Sequence, residues 1–266
     1  MAVAVMLPSF AAPARGSDDV AEVDWQSPRP NFSDPAYWEQ KYKASGKNST
    51  YEWFLDSEVF VPVVQPYMSL DSRILQLGCW NSRVAEVLAT AGHADVTSID
   101  ISKSVIEANR AKHPADKFPG LRYVVGDVLD MSGFAADKFD VVLDKGTWDA
   151  IPKQRSRVML QEVRRVLRPG GVYLVVSFSK PGNALDFLLD WRVGWKVENI
   201  LSVPNPTNGG RSESLRFFYF YICRNEDRDE SWGSDLRVSD DVQDAIKEAL
   251  DYQLADRSLS ARSEEL

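Results

Sequence analysis

Cysteine and histidine are nearly absent, with two of each in 266 residues. Cys79 and Cys223 cannot build a disulfide framework, and four such side chains in all leave little for a zinc site or a histidine relay. No run approaches the roughly 20 consecutive apolar residues of a spanning helix, so an integral membrane protein is excluded and no membrane partner is expected. An excess of positive charge is also missing. Residues 226–266 hold thirteen acids against five bases, which leaves 26 of each in the first 225 residues. A neutral body lacks the electrostatic footprint of a nucleic-acid binder, and the net charge of −8 belongs to the C-terminal end.

What is present divides into three parts. Residues 1–36 carry five prolines and no sustained apolar period, and read as a flexible arm. Their first sixteen residues have one basic side chain, Arg15, and meet neither a secretory pattern nor an arginine-rich mitochondrial one. The expected location is cytoplasmic, with mitochondrial import as the alternative. In residues 226–266, Val242, Ile246, Leu250 and Leu254 recur every four residues behind Ser239, which predicts one amphipathic helix in an acidic tail.

The middle part, 37–225, is the expected domain. It opens with a segment dense in aromatics over 37–54, where Trp38 and Tyr42 share one helical face. Short apolar runs at 73–77, 96–100, 121–125, 140–143 and 172–178 then alternate with helical stretches at 82–91, 102–113 and 154–167. That alternation predicts βαβ units and a parallel sheet. A turn is expected at Pro169-Gly170-Gly171. A helix near 183–192 and strands near 195–203 and 215–223, around a Pro/Asn/Gly loop, suggest an antiparallel excursion at the end.

The chemistry-bearing residues sit where these strands end. The first strand runs into Gly78-Cys79-Trp80-Asn81-Ser82, the second ends at Asp100, the third at Gly126-Asp127, and the fourth at Asp144-Lys145-Gly146. A glycine turn before a helix, an acid placed for ribose hydroxyls and a further acid for an exocyclic amine suit an adenosine-containing cofactor. The dinucleotide fingerprint fails, with Trp80 and Arg83 at its second and third glycine places, and no phosphate loop ends in Gly-Lys-Ser/Thr. S-adenosylmethionine needs no pyrophosphate-binding glycines and remains.

The chain resembles the class I, seven-β-strand methyltransferases, and within them the methyltransferase-like enzymes that modify lysines of elongation factor 1-alpha or of citrate synthase. The resemblance spans about Tyr37 to Cys223 and rests on Tyr37-Trp38 with Tyr42, Tyr51-Glu52-Trp53-Phe54, Ile74 to Ser82, Ile99-Asp100-Ile101-Ser102 and Asp144-Lys145-Gly146-Thr147-Trp148-Asp149-Ala150. It implies a Rossmann-like α/β fold: a seven-stranded, mainly parallel sheet with helices on both faces and an antiparallel last strand pair. It further implies S-adenosylmethionine as cofactor, a protein substrate, a monomer, and cofactor contacts from Trp38, Tyr42, Trp53, Gly78, Asp100, Ile101, Asp127, Val128 and Lys145, with 37–54 as a lid. Elongation factor 1-alpha is the first expected substrate and citrate synthase the alternative. Asp144 and Asp149 sit at the right strand end, without either being singled out as a base. One position departs from the family's L-G-C-G-N-S: Trp80 replaces the second glycine. A cofactor-impaired protein-interaction module is therefore the alternative from another class.

Overall fold

The computed structural model describes residues 34–45, 50–205 and 217–226. The expected arm up to residue 33, the acidic tail after residue 226 with its amphipathic helix and most of the loop after Pro204 lie outside the described residues. Seven strands pair in the order β3-β2-β1-β4-β5-β7-β6. They are β1 (Arg73–Leu77), β2 (Asp95–Asp100), β3 (Leu121–Val125), β4 (Phe139–Lys145), β5 (Leu167–Ser177), β6 (Lys196–Pro204) and β7 (Phe217–Arg224). The first five run parallel, and β7 is antiparallel to both β5 and β6. The expected mainly parallel sheet with an antiparallel last pair is the observed architecture.

The helices are α1 (Pro35–Ser45), α2 (Ser57–Val64), α3 (Val84–Thr90), α4 (Lys103–Lys112), α5 (Thr147–Ala150), α6 (Lys153–Val166) and α7 (Pro181–Leu188), with a 3₁₀ turn at Gln65–Tyr67. Two apolar layers cover the sheet. Ile74, Val96, Val141, Leu143 and Leu174 pack on one face with α2, α3 and α4. Leu75, Leu77, Val142, Tyr173 and Val175 pack on the other with α6 and α7. Central strands buried on both faces read as near-continuous apolar runs, which is why they were visible in the sequence; the polar Gln76 and Ser98 inside β1 and β2 are joined by a 2.9 Å hydrogen bond. Helix α2 was not, because Pro62 lies inside it and its eight residues are nearly all apolar.

Strand order reverses between β1 and β4, so the chain leaves a crevice above their carboxyl ends. The Thr147 hydroxyl bridges that crevice by donating to the Leu77 carbonyl at 2.9 Å. At the opposite end, the expected turn at Pro169-Gly170-Gly171 is drawn into β5 as an irregular first stretch, with Gly170 at φ +74°. Asn225 ties it down: its amide donates to the Leu167 and Arg168 carbonyls at 2.7 and 3.1 Å. The Asn225 backbone meanwhile exchanges hydrogen bonds with Gly170 and Gly171. We expect Asn225→Ala to lower stability by about 1–3 kcal/mol, since the Arg164, Leu167 and Arg168 carbonyls lose a donor at once. Urea unfolding measures this; an unchanged midpoint would mean that water replaces the amide without loss.

Candidate active site

Four strand ends converge on the crevice. Gly78 follows β1 at φ +54°, and a Cβ there would meet the Thr147 hydroxyl oxygen at 2.1 Å, so only glycine fits. The turn is fixed by the Cys79 N–H donating to the Ile99 carbonyl of β2 at 3.1 Å. Asp100 closes β2. One carboxylate oxygen accepts from the Trp80 amide and the other from the Ser102 amide, each at 2.9 Å. Burial raises this carboxyl to about 6, against the pull of those amides. Ile101 follows, half-buried.

After β3, Asp127 spends one carboxylate oxygen on the Leu129 amide at 2.9 Å, and Val128 is buried in the core beside it. At the end of β4, Lys145 is buried and its ammonium is taken by Glu52 and by the Leu55 carbonyl at 2.9 Å. Asp144 accepts from the Thr147 and Trp148 amides at 2.7 and 3.1 Å and from the Tyr173 hydroxyl at 2.8 Å, and burial raises it to about 7. Asp149 accepts from the Ser177 hydroxyl at 2.6 Å and the Phe178 amide at 3.2 Å, and burial raises it to about 6.

The aromatic segment covers these ends. Helix α1 starts on Asp34, whose carboxylate accepts from the Ala36 amide at 2.9 Å, with Pro35 in its first turn. Glu39 accepts from the Ser104 amide at 3.1 Å, seating α1 against the first turn of α4. Trp38 and Tyr42, one turn apart, both meet the Trp80 indole edge-on with centroids 5.6 Å away. Trp80 itself is 6% exposed and holds φ +45°. Its backbone is pinned at both ends, by Asp100 at the N–H and by the Asn109 amide donating to its carbonyl at 2.6 Å.

Sequence reasoning missed Glu52 as a site residue. Its carboxylate accepts from the Ser57 hydroxyl at 2.5 Å, the Ser82 hydroxyl at 2.8 Å and the Arg83 amide at 2.8 Å, besides the Lys145 ammonium. Phe54 then turns at φ +66° and packs on Phe178 and Phe218 at 4.4 and 5.0 Å, close enough that a Cβ on Gly146 would strike its ring. The signal was the Tyr51-Glu52-Trp53-Phe54 string, in which the acid stood among more conspicuous rings.

The nine expected contacts thus lie on one end of the sheet or on the segment over it. Among the described residues no group of three or more His, Cys, Asp or Glu is placed to hold a metal. The donor set fits the nucleoside half of S-adenosylmethionine. An ionised carboxylate has about four acceptor sites, and Asp100 has used two, leaving two for ribose hydroxyls. Asp127 keeps one oxygen for an exocyclic amine. Beside the glycine turn, the buried Trp80 indole fills room under Trp38 and Tyr42 that a glycine would leave.

Fold and strand-end chemistry together define a class I, S-adenosylmethionine-dependent methyltransferase. Residues 75–175 match the family described as a methyltransferase domain. The chain is 33% identical over 181 residues to EEF1A lysine methyltransferase 4 of Bos taurus, covering 63% of this chain and 70% of that one. It belongs to the methyltransferase family that includes that protein. It is also 34% identical over 156 residues to the eEF1A lysine and N-terminal methyltransferase of Homo sapiens, there spanning only 22% of the relative. A solved S-adenosylmethionine-dependent methyltransferase from Methanosarcina mazei shares the fold at TM-score 0.52 and 18% identity, over 61% of this chain and 96% of that one. So does the [4+2]-cyclase SpnF, at 0.57 and 14%, over 74% and 97%. The fold alone therefore does not fix the reaction.

Two outcomes follow from this geometry. Asp100→Ala should weaken S-adenosylmethionine binding by about 2–3 kcal/mol through loss of charge-assisted bonds. In the wild type the ionised carboxylate is the better acceptor, so affinity should rise as pH climbs through about 6 and flatten above it. Calorimetry from pH 5 to 8 reads both; a flat profile would remove Asp100 from the ribose. Trp80→Gly should tighten binding several-fold while lowering stability, because the strain relieved at φ +45° is smaller than the about 3–5 kcal/mol of a lost buried indole. Weaker binding in Trp80→Gly would make the indole part of the pocket.

Proposed function

We propose that this protein transfers a methyl group from S-adenosylmethionine to a lysine side chain of elongation factor 1-alpha. The observation that carries the reading is the strand-end set of Gly78, Asp100, Asp127 and the Asp144–Ala150 string, in a chain one-third identical to relatives bearing that name. The cofactor supplies a methyl carbon activated by a sulfonium.

The chain's own residues have three tasks. Asp100, Ile101, Asp127 and Val128 hold the nucleoside at the ends of β2 and β3. Gly78 lets the backbone approach, and Trp38, Tyr42 and Trp53 close over it. Glu52 and Lys145 lock the covering segment to β4 and so exclude water. The acceptor amine must shed its proton before it attacks, and a desolvated, aromatic-lined entry favours the neutral form. Orientation of the two reactants then accounts for most of the rate.

One observation favours a second reading. Trp80 stands at the second glycine place of the turn, with its indole packed under Trp38 and Tyr42, a substitution that suits a methyltransferase-like module that binds protein without transferring methyl groups. Incubation of the full chain with tritiated S-adenosylmethionine and elongation factor 1-alpha separates the two. We expect label on that protein, on a lysine Nε by mass spectrometry. A parallel incubation with citrate synthase in place of elongation factor 1-alpha, if it alone took label, would transfer the reading to that substrate, and cofactor binding too weak to measure, with no label in either, would leave the module.

A further inference from the structure

Tyr37, Lys41, Tyr51 and Trp53 form a second cluster on the covering segment, beside the Glu52 clamp. The Lys41 ammonium lies 5.3 Å from the centre of the Trp53 ring and 5.8 Å from that of Tyr37, whose hydroxyl it reaches at 3.4 Å. Tyr51 meets Trp53 edge-on at 5.0 Å and is 49% exposed. Among the described residues no carboxylate pairs with Lys41. A lysine ammonium is therefore held by aromatic faces in place of an acid.

The position of this cluster gives it meaning. Tyr37 leans on Trp38 at 5.0 Å, and Trp38 on Trp80, so one edge of the cluster continues into the glycine turn. Trp53 follows Glu52, whose carboxylate is bonded to Lys145 at the end of β4. The rings thus stand at the rim of the strand-end crevice, open on the Tyr51 side. A carboxylate at such a rim would hold an incoming lysine strongly in its charged form; rings also favour the ammonium, but more weakly, so less is lost when it sheds its proton. That is the chemistry wanted where an acceptor lysine arrives charged and must react neutral.

We propose that Tyr37, Tyr51 and Trp53 form the docking cage for the acceptor lysine of the protein substrate, and that Lys41 fills this cage until the substrate displaces it. The inference rests on lysine being the acceptor. Lys41 is then an internal competitor, and removing it should help the substrate while removing a ring should hinder it.

The test compares wild type, Lys41→Ala and Tyr51→Ala as full chains, reading KM and kcat with elongation factor 1-alpha and the cofactor dissociation constant by calorimetry. Lys41→Ala should lower KM at least threefold and Tyr51→Ala should raise it at least fivefold, with cofactor affinity within twofold in both. Unchanged KM values in an enzyme that still methylates lysine would overturn the cage and leave the function intact. Loss of cofactor affinity in step with KM would make the rings part of the cofactor lid only, and overturn it too. If wild type methylates no lysine, the function fails independently. The cage is then read by the Trp53 indole N–H in nuclear magnetic resonance, titrated with Nα-acetyl-trimethyllysine methylamide. A saturable shift, at lower ligand concentration in Lys41→Ala, supports it, and no shift refutes it.

Discussion

The Glu52 carboxylate ties the covering segment to three other elements around the site. It takes the Lys145 ammonium from β4, the Ser82 hydroxyl and Arg83 amide ahead of α3, and the Ser57 hydroxyl of α2. Three elements that carry separate parts of the crevice are thereby referred to one point. Removing one partner of a buried ion pair leaves the other charge uncompensated, which costs far more than the pair contributes. The residues on either side of Glu52 inherit this fixity: Trp53 toward the rim, and Phe54 forced to φ +66° against Phe178 and Phe218. Lys145, an expected cofactor contact, has its ammonium engaged in holding the cover.

The parallel strands and the acids at their ends were legible because short runs rich in buried apolar residues alternate with helices and a parallel sheet aligns its carboxyl ends. Asp100 and Asp127 were found by their place after such runs. The i, i+4 spacing of Trp38 and Tyr42 correctly put both rings on one face, but nothing local said that this face meets Trp80. Glu52 was illegible for the same reason: its partners are at positions 57, 82, 83 and 145, and only the folded chain assembles them. Helix α2 was hidden by Pro62, and the turn at 169–171 became strand because β7 supplied pairing partners through Asn225.

Trp80 shows how an unfavourable local choice is absorbed. A left-handed torsion at a non-glycine residue costs about 1–2 kcal/mol, and its indole must be housed. Asp100 and Asn109 grip the backbone on both sides, while Trp38 and Tyr42 supply edge-on partners. Edge-to-face pairs contribute about 0.5–1.5 kcal/mol each beyond the area they bury. Two such pairs offset the torsion, so the turn survives the loss of its glycine. The cost falls on the site and not on the fold, because the housing stands between the covering helix and the glycine turn.

The buried acids at the end of β4 bear on how the reaction can proceed. Asp144 and Asp149 have raised carboxyls and lie next to the crevice, the usual marks of a general base. Their hydrogen bonds argue otherwise. Asp144 satisfies the first amides of α5 and the Tyr173 hydroxyl, and Asp149 satisfies Ser177 and the Phe178 amide, which fixes the β5 end. Each is committed to backbone groups that would be orphaned if it turned toward a substrate. Both acids therefore hold the strand end in shape, and neither is placed to take the proton that the acceptor amine sheds. Such a reaction gains its rate from how the amine is stripped of solvent and aimed, which places the demand on the aromatic cover and on the Glu52 clamp beneath it.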